Sequence, residues 1–225
     1  METERKIELD SEFVEKVPGY RALLFEANVE NSETSSELKA ELDSLAQEIA
    51  SRYQVSQINS LPGIAATRKA YKACGKDPNR YRPSQEQMMR RIVRGLGLYN
   101  VNTLVDAGNL LSLKTGCSVG FFDADKVSGE VLRLGIGKEG EPYEGIGRGD
   151  LNISGLPVFR DNIGGIGTPT SDNERTKLSL PTKKLLATIH LFNQEIDPLE
   201  VVGLFTDIMT RHGNAENIRW SIFTA

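Results

Sequence analysis

The stretch YNVNTLVDAGNLLSLKTGCSVGFFDADKVSGE, residues 99–130, changes from a helical pattern to a strand pattern within a few residues. It predicts a helix over about 101–115 that ends at Gly116, a residue suited to the left-handed conformation after a helix. The residues VGFFD then predict a strand, and the turn DADKVSG joins it to a second strand, EVLRLGIG. We therefore place the boundary between a helix-rich part (about 1–116) and a strand-rich part (about 117–225) here, within one domain that spans residues 1–225.

Upstream of this boundary, the patterns are mainly helical. After an apolar run within 20–30 that suits a strand, three helices are predicted, over about 35–53, 63–74 and 84–95. The first and third begin with capping boxes, at 34–37 (TSSE) and Ser84–Gln87, in which side chains bond the free amides of the first turn. Pro62 and Gly75 suit the two ends of the second.

Downstream, short strand patterns lie in a glycine-rich region. Strands are predicted at 157–161 (PVFRD) and 217–225 (NIRWSIFTA). The segment 184–192 (KLLATIHLF) suits a buried strand, but its periodicity is also compatible with a helix. Asp197 as cap and Pro198 in the first turn predict a helix that runs to about His212. Because helices and strands are partly segregated along the chain, the sequence predicts an α+β fold.

The composition places the chain among globular proteins. It has 225 residues, of which 39% are hydrophobic, enough for one large core without a metal or a disulfide. Its two thiols, Cys74 and Cys117, have no CxxC spacing and predict reduced, buried side chains. The charged N-terminal residues and the lack of a long apolar run predict a soluble, cytoplasmic protein without membrane contact.

Charge is unevenly distributed along the chain. The net charge is −4, yet residues 66–94 carry 9 basic and 2 acidic side chains, whereas residues 1–50 carry 5 basic and 13 acidic ones. The basic stretch can form a local phosphate-attracting surface, or its arginines can pair with the acidic N-terminal helix. The net charge argues against a non-specific nucleic-acid binder, and we expect no DNA partner.

Few side chains can perform strong nucleophilic or metal chemistry. His190 and His212 suit core or capping roles, and no phosphate-binding loop of the GxxxxGK[ST] type is present. We therefore expect no metal and no cofactor. A reaction that depends on positioning, such as hydrolysis of an ester activated by a neighbouring hydroxyl group, remains compatible with this composition.

A set of motifs resembles the paired third and fourth domains of the bacterial phenylalanyl-tRNA synthetase β subunit. The central stretch matches the pattern N-x-(I/L)-V-D-x-x-N, a glycine-containing turn and a strand ending in F/Y-D-x-D-K-(I/V)-x-G. The matching positions are Asn102, Val105, Asp106, Asn109, Gly116, Asp123, Asp125, Lys126 and Gly129. The segments 62–84, 161–165 and 171–177 continue the likeness, which covers about 60–192.

The resemblance implies an editing module, which in that family hydrolyses tyrosine wrongly attached to phenylalanine tRNA. It also implies a two-lobed fold around a central, mostly antiparallel sheet flanked by helices. It implies a pocket between the lobes, in which Gly120 stands where that family commonly has a histidine. The candidate catalytic residues are Asn102 and Asp106. The alternative role of Asn102 is to cap a helix, and the alternative role of Asp106 is a structural hydrogen bond. The expected pocket residues are Asn109, Gly120, Asp123, Asp161, Gly164, Gly165 and Thr176.

Two functions follow from the resemblance. The first is hydrolysis of mischarged aminoacyl-tRNA in trans, without ligase activity, through a held water and help from a substrate hydroxyl group. The second is a non-catalytic module that binds RNA, an amino acid or a protein. The tRNA acceptor end is the expected partner, and a homodimer is possible. The expected tRNA contacts are Arg68, Lys69, Lys72, Arg82, Arg90, Arg91, Arg94 and Lys177.

Overall fold

Residues 2–225 are described by a computed structural model with an α+β fold. The helices are α1 (Ser11–Lys16), α2 (Ser36–Arg52), α3 (Pro62–Ala73), α4 (Ser84–Val93), α5 (Thr103–Thr115) and α6 (Pro198–Gly213). The strands are β1 (Lys6–Leu9), β2 (Arg21–Asn28), β3 (Ser118–Asp123), β4 (Val131–Ile136), β5 (Glu144–Gly145), β6 (Gly149–Asp150), β7 (Pro157–Arg160), β8 (Gly165–Gly167), β9 (Lys184–Leu191) and β10 (Glu216–Thr224). Within residues 2–225, no helix is both long and apolar enough to span a bilayer.

The central sheet is antiparallel and has the strand order β10-β2-β9-β3. A second sheet has the order β1-β4-β7-β8, in which β1 and β4 run parallel. The strands β3 and β4, which are consecutive in the chain, therefore belong to different sheets. Because β2 pairs with both β9 and β10, the helix-rich and strand-rich parts of the chain share one sheet.

Three layers result from the alternation of side chains along β2. Leu23 and Phe25 face a core formed with the α2, α4, α5 and α6 helices, and the Phe25 ring stacks on Phe205. Ala22 and Leu24 face the opposite way, into a core shared with the second sheet. Because both faces of β2 are buried, its residues 22–25 form a continuous apolar run.

The helices and strands predicted from sequence are present, including the strand at 184–191, but both capping boxes are wrong. Ser35 rather than Thr34 caps α2, by accepting a hydrogen bond from the Leu38 amide at 3.2 Å. Thr34 instead donates to Asp106 at 2.6 Å. The α4 helix begins after Pro83 without a side-chain cap.

Candidate functional site

A cavity of about 430 Å³ lies between α4, α5, the edge strand β3 and the loop 168–178; we call it the central pocket. Its apolar lining comes from Met88, Val101, Val105, Val119, Phe121, Ile146 and Leu178, and its polar lining from Ser84, Asn102, Asn109, Ser112, Thr168, Ser171, Asp172 and Lys177. An apolar cavity with a few polar groups is typical of small-molecule sites in proteins.

The α5 helix supplies two carboxamides to this pocket. Asn102 caps α5, and its Oδ1 accepts a hydrogen bond from the Val105 amide at 3.0 Å, which leaves its NH2 group without a bond to residues 2–225. Asn109 lies two turns further along and forms no side-chain hydrogen bond with the described residues. The predicted capping role of Asn102 is confirmed, and both amides remain available to a ligand.

The β3 strand supplies backbone groups, because it lies at the edge of the central sheet. The Phe121 amide points outwards and donates to Asp172 Oδ2 at 3.2 Å. Amides two residues apart along a strand point the same way, so the Val119 amide also faces the pocket side.

Asp172 is the residue that sequence reasoning missed. Its backbone is fixed by a bridge to Gly167 and by a hydrogen bond of 3.0 Å from the Ile146 amide to its carbonyl. Asp172 is one of the residues that line the central pocket, and no cation within residues 2–225 forms an ion pair with its carboxyl group. Burial raises the pKa of Asp172 to about 8, and the Phe121 amide only partly opposes this.

Two glycines allow the Asp172 carboxyl to approach the sheet. A Cβ atom at Gly120 would lie 2.8 Å from the Phe122 ring and 3.1 Å from Asp172 Oδ1, and one at Gly167 would lie 2.6 Å from Phe122. Gly120 faces away from the central pocket, since its neighbours Val119 and Phe121 line it. A histidine at position 120 has no room, because Phe122 and Asp172 already border that space.

The structure corrects the expectation for Asp106. Its carboxylate is fully buried outside the pocket lining and accepts hydrogen bonds from Thr34 at 2.6 Å and from the Val101 amide at 3.2 Å. It fixes the segment before α5, which is the structural alternative stated above.

Four residues that were predicted to belong to the pocket lie outside the lining of the central pocket: Asp161, Gly164, Gly165 and Asp123. Asp161 binds Arg175 at 2.8 Å and accepts from the Gly164 amide at 3.0 Å, so its carboxylate is satisfied internally. Gly165 packs against the Tyr143 ring. Asp123 accepts from Thr182 at 2.9 Å. These four residues therefore stabilise turns and strand ends.

Thr176 is fully buried, and its hydroxyl group has no partner within residues 2–225. It too lies outside the central pocket lining, although its neighbours Lys177 and Leu178 belong to it.

The basic stretch does not form one continuous cationic surface. Glu86 is fully buried and binds Arg68 at 3.0 Å and Arg90 at 2.8 Å, with Arg82 at 3.7 Å. The prediction that Arg68 and Arg90 are free for a ligand is corrected by this ion-pair cluster, which joins α3 to α4.

The remaining predicted contacts differ in their availability. Arg91 donates to the Leu96 and Gly97 carbonyls and stacks over Tyr99. Lys177 pairs with Glu174. Three others are exposed and form no side-chain hydrogen bond or ion pair within residues 2–225: Lys69, Lys72 and Arg94.

Neither histidine lines the central pocket. His190 is buried against Tyr20, whose hydroxyl group lies 2.8 Å from Nδ1, and burial lowers the pKa of His190 to about 3. His212 contacts Glu41 at 3.0 Å. Over residues 2–225, no group of three or more histidine, cysteine or acidic side chains is arranged to hold a metal ion.

Comparisons with known proteins place these features in context. The chain is 38% identical over 129 residues to the phenylalanine–tRNA ligase β subunit of Bartonella henselae, and 37% identical over 68 residues to that of Bartonella quintana. These matches cover 56% and 30% of this chain but only 16% and 8% of the relatives, so the chain spans a small part of their length.

A solved structure, an N-terminal fragment of the phenylalanyl-tRNA synthetase β subunit from Pyrococcus horikoshii, aligns with 97% of this chain and 51% of its own, at 10% identity and a TM-score of 0.49. The B3/4 domain family matches residues 66–211. Because this match covers well over half of the 225 residues, the chain belongs to the B3/4 domain family and is related to the phenylalanyl-tRNA synthetase β subunit.

Proposed function

We propose that the protein binds the aminoacyl end of charged tRNA in the central pocket and hydrolyses the ester in trans. The observation that carries this proposal is the Asp172 carboxyl, which forms no ion pair within residues 2–225 and belongs to a cavity with apolar walls. An α-ammonium group supplies the missing positive charge, and the apolar walls accept an amino-acid side chain. The relatives, which are tRNA ligase subunits by name, supply the substrate class.

The polar groups of the pocket have separate roles in this proposal. The Asp172 carboxyl, whose Oδ2 already accepts a hydrogen bond from the Phe121 amide, accepts a further hydrogen bond from the α-ammonium group. The Asn102 NH2 group and the Val119 amide donate to the ester carbonyl, where negative charge develops during attack by water. Asn109 holds the water. The neighbouring ribose hydroxyl group of the substrate assists proton transfer.

The pocket also supports binding without turnover. Within residues 2–225, no serine or threonine hydroxyl group of its lining is hydrogen-bonded to a basic side chain, and both histidines lie elsewhere in the fold. A module that holds an aminoacyl group or a free amino acid is therefore the second candidate.

A deacylation assay distinguishes the two candidates. The protein is added at catalytic concentration to a panel of correctly charged and mischarged tRNAs, and release of the amino acid is compared with spontaneous hydrolysis. We expect turnover above background for at least one tRNA, and a loss of at least tenfold in Asp172→Asn. Asp43→Asn, an exposed carboxylate on α2, is the matched control and should behave as the wild type. Background rates throughout the panel would exclude hydrolysis.

A further inference from the structure

A second cavity, of about 380 Å³, lies beside the central pocket and is lined by arginines. Its lining residues are Arg80, Tyr81, Arg82, Gln87, Arg148, Leu151 and Thr170, and they include no carboxylate. We call it the arginine groove. A concave surface with three guanidinium groups and no acidic side chain in its lining attracts anions.

The guanidinium groups of the groove are available to a ligand. Arg80 is exposed and forms no side-chain hydrogen bond or ion pair with residues 2–225. Arg82 is exposed, and its contact with Glu86 is long, at 3.7 Å. Both differ from Arg68 and Arg90, which Glu86 binds at 3.0 Å or less.

Gln87 organises the groove. Its Oε1 accepts a hydrogen bond from Arg148 at 2.5 Å, and its Nε2 donates to the Arg82 carbonyl at 2.7 Å. A neutral amide thus positions Arg148 without cancelling its charge. The Arg148 side chain is therefore preorganised for binding a ligand.

The groove and the central pocket share three segments of the chain. Ser84 lines the pocket and Gln87 lines the groove, and these residues are one turn apart on α4, about 5 Å along its axis. The loop with Ile146 and Arg148 contributes one residue to each cavity, and so does the segment with Thr170 and Ser171. A ligand seated in the pocket can therefore extend directly into the groove.

We propose that the arginine groove binds the phosphate group on the 5′ side of the terminal nucleoside that carries the aminoacyl group. This inference rests on the proposed function, because it takes the ligand in the central pocket to be an aminoacyl nucleoside. Arginine suits the role, since its planar fork of donors matches phosphate oxygens. The contacts position the substrate without reading its sequence.

The test uses stable amide analogues, so that turnover does not affect it. The probes are 3′-aminoacylamido-3′-deoxyadenosines that carry tyrosine, leucine or alanine, each with and without a 5′-phosphate, and affinity is measured by isothermal titration. We expect the phosphate to tighten binding about tenfold, or about 1.4 kcal/mol. In the triple variant Arg80→Gln, Arg82→Gln, Arg148→Gln, the preference should fall below twofold.

The matched control removes the same charge elsewhere. The triple variant Lys6→Gln, Lys39→Gln, Lys183→Gln also neutralises three exposed cations outside the two cavities, and it should keep the tenfold preference. Thermal unfolding confirms that both triple variants are folded. Equal affinity for the two forms of the probe in the wild type, a preference retained without the three arginines, or no binding of the phosphorylated probes at millimolar concentration would each overturn the proposal.

This outcome is separable from that of the deacylation assay. If the protein prefers the phosphorylated probes through the three arginines but hydrolyses no charged tRNA, turnover is rejected and phosphate binding in the arginine groove is supported. Hydrolysis without any preference for phosphate would reject the groove alone.

Discussion

The Asp172 carboxyl lies where a negative charge is costly, and no cation of residues 2–225 forms an ion pair with it. The Asp172 side chain is partly buried, and desolvation raises its pKa to about 8, against an ordinary value of 3.8. The raised pKa favours the protonated form of Asp172 at neutral pH. A ligand with an ammonium group favours ionisation, so binding and deprotonation of Asp172 are coupled.

The raised pKa predicts a pH dependence of stability. Between about pH 4 and pH 8 the folded chain keeps a proton on Asp172 that the unfolded chain releases, so raising the pH through this range favours unfolding. Asp172→Asn removes this contribution. Urea unfolding at several pH values should show that the variant gains stability relative to the wild type as the pH rises from 4 to 8. A difference that stays constant with pH, as expected for the control Asp43→Asn, would contradict the raised pKa.

The close packing around Gly120 predicts that a side chain at this position lowers stability. A Cβ atom there would meet the Phe122 ring at 2.8 Å and Thr188 Oγ1 at 3.0 Å, so Gly120→Ala should lower the free energy of unfolding by about 1–3 kcal/mol. Gly203→Ala is the matched control, because this exposed position in α6 has no atom within 4 Å of the added methyl group.

Alanine should stabilise a helix at position 203 by up to about 1 kcal/mol. Chemical denaturation of both variants measures the contrast. Equal stability of Gly120→Ala and the wild type would show that Phe122 and Asp172 move apart easily.

The α3 and α4 helices are joined by a buried ion-pair cluster instead of by apolar contacts alone. Arg68 from α3 and Arg90 from α4 both bind Glu86, and Arg68 also donates to the Pro78 carbonyl at 3.0 Å. The cluster therefore fixes the segment that leads to the arginine groove. The arginines at 68 and 90 position the groove without facing a ligand.

Removing the central charge of this cluster should be costly. Glu86→Gln leaves two guanidinium groups without their buried anion, and we expect a loss of about 3–5 kcal/mol in the free energy of unfolding. Glu48 is exposed on α2 and forms no ion pair within residues 2–225, so Glu48→Gln should change stability by less than about 0.5 kcal/mol. Denaturation curves for the two variants provide the measurement; similar values would mean that solvent reaches the cluster.

Local patterns predicted the helices and strands well, because their signals lie within a few residues. Gly116 ends α5 at φ 68°, and Pro198 opens α6 after the Asp197 cap, as expected. The capping boxes failed because a tertiary partner competes for the side chain: Thr34 bonds to Asp106, 72 residues away. The N-terminal strand β1 was missed because it is short and pairs with β4 across the chain.

The candidate site was predicted only in part, because it is assembled from distant segments. Asn102 and Asn109 lie on one helix, and their spacing is visible in the sequence. Asp172 reaches the pocket through the fold of the loop after β8 and through its bond to Phe121, 51 residues earlier. Nothing local distinguishes it from a turn residue such as Asp123. Likewise, the sequence does not distinguish the exposed arginines from those that Glu86 binds.

The charges of the whole molecule are arranged so that acidic surface is partly neutralised. Glu41 on α2 contacts Lys114, Arg211 and His212, and the hydrogen bond from Arg211 lowers the pKa of Glu41 to about 2. The acidic N-terminal region therefore meets cations from α5 and α6. The arginine groove, in contrast, has no acidic residue in its lining, so a polyanion can approach it despite the net charge of −4.

The claim that the α-ammonium group of an aminoacyl ligand binds Asp172 is tested most directly by a double-mutant cycle on binding. Isothermal titration compares an aminoacylamido-adenosine with its analogue that lacks the α-amino group, in the wild type and in Asp172→Asn. We predict that the wild type favours the amino form by tenfold or more, and that the variant binds both forms equally. The same preference in both proteins, or none in the wild type, would contradict the account.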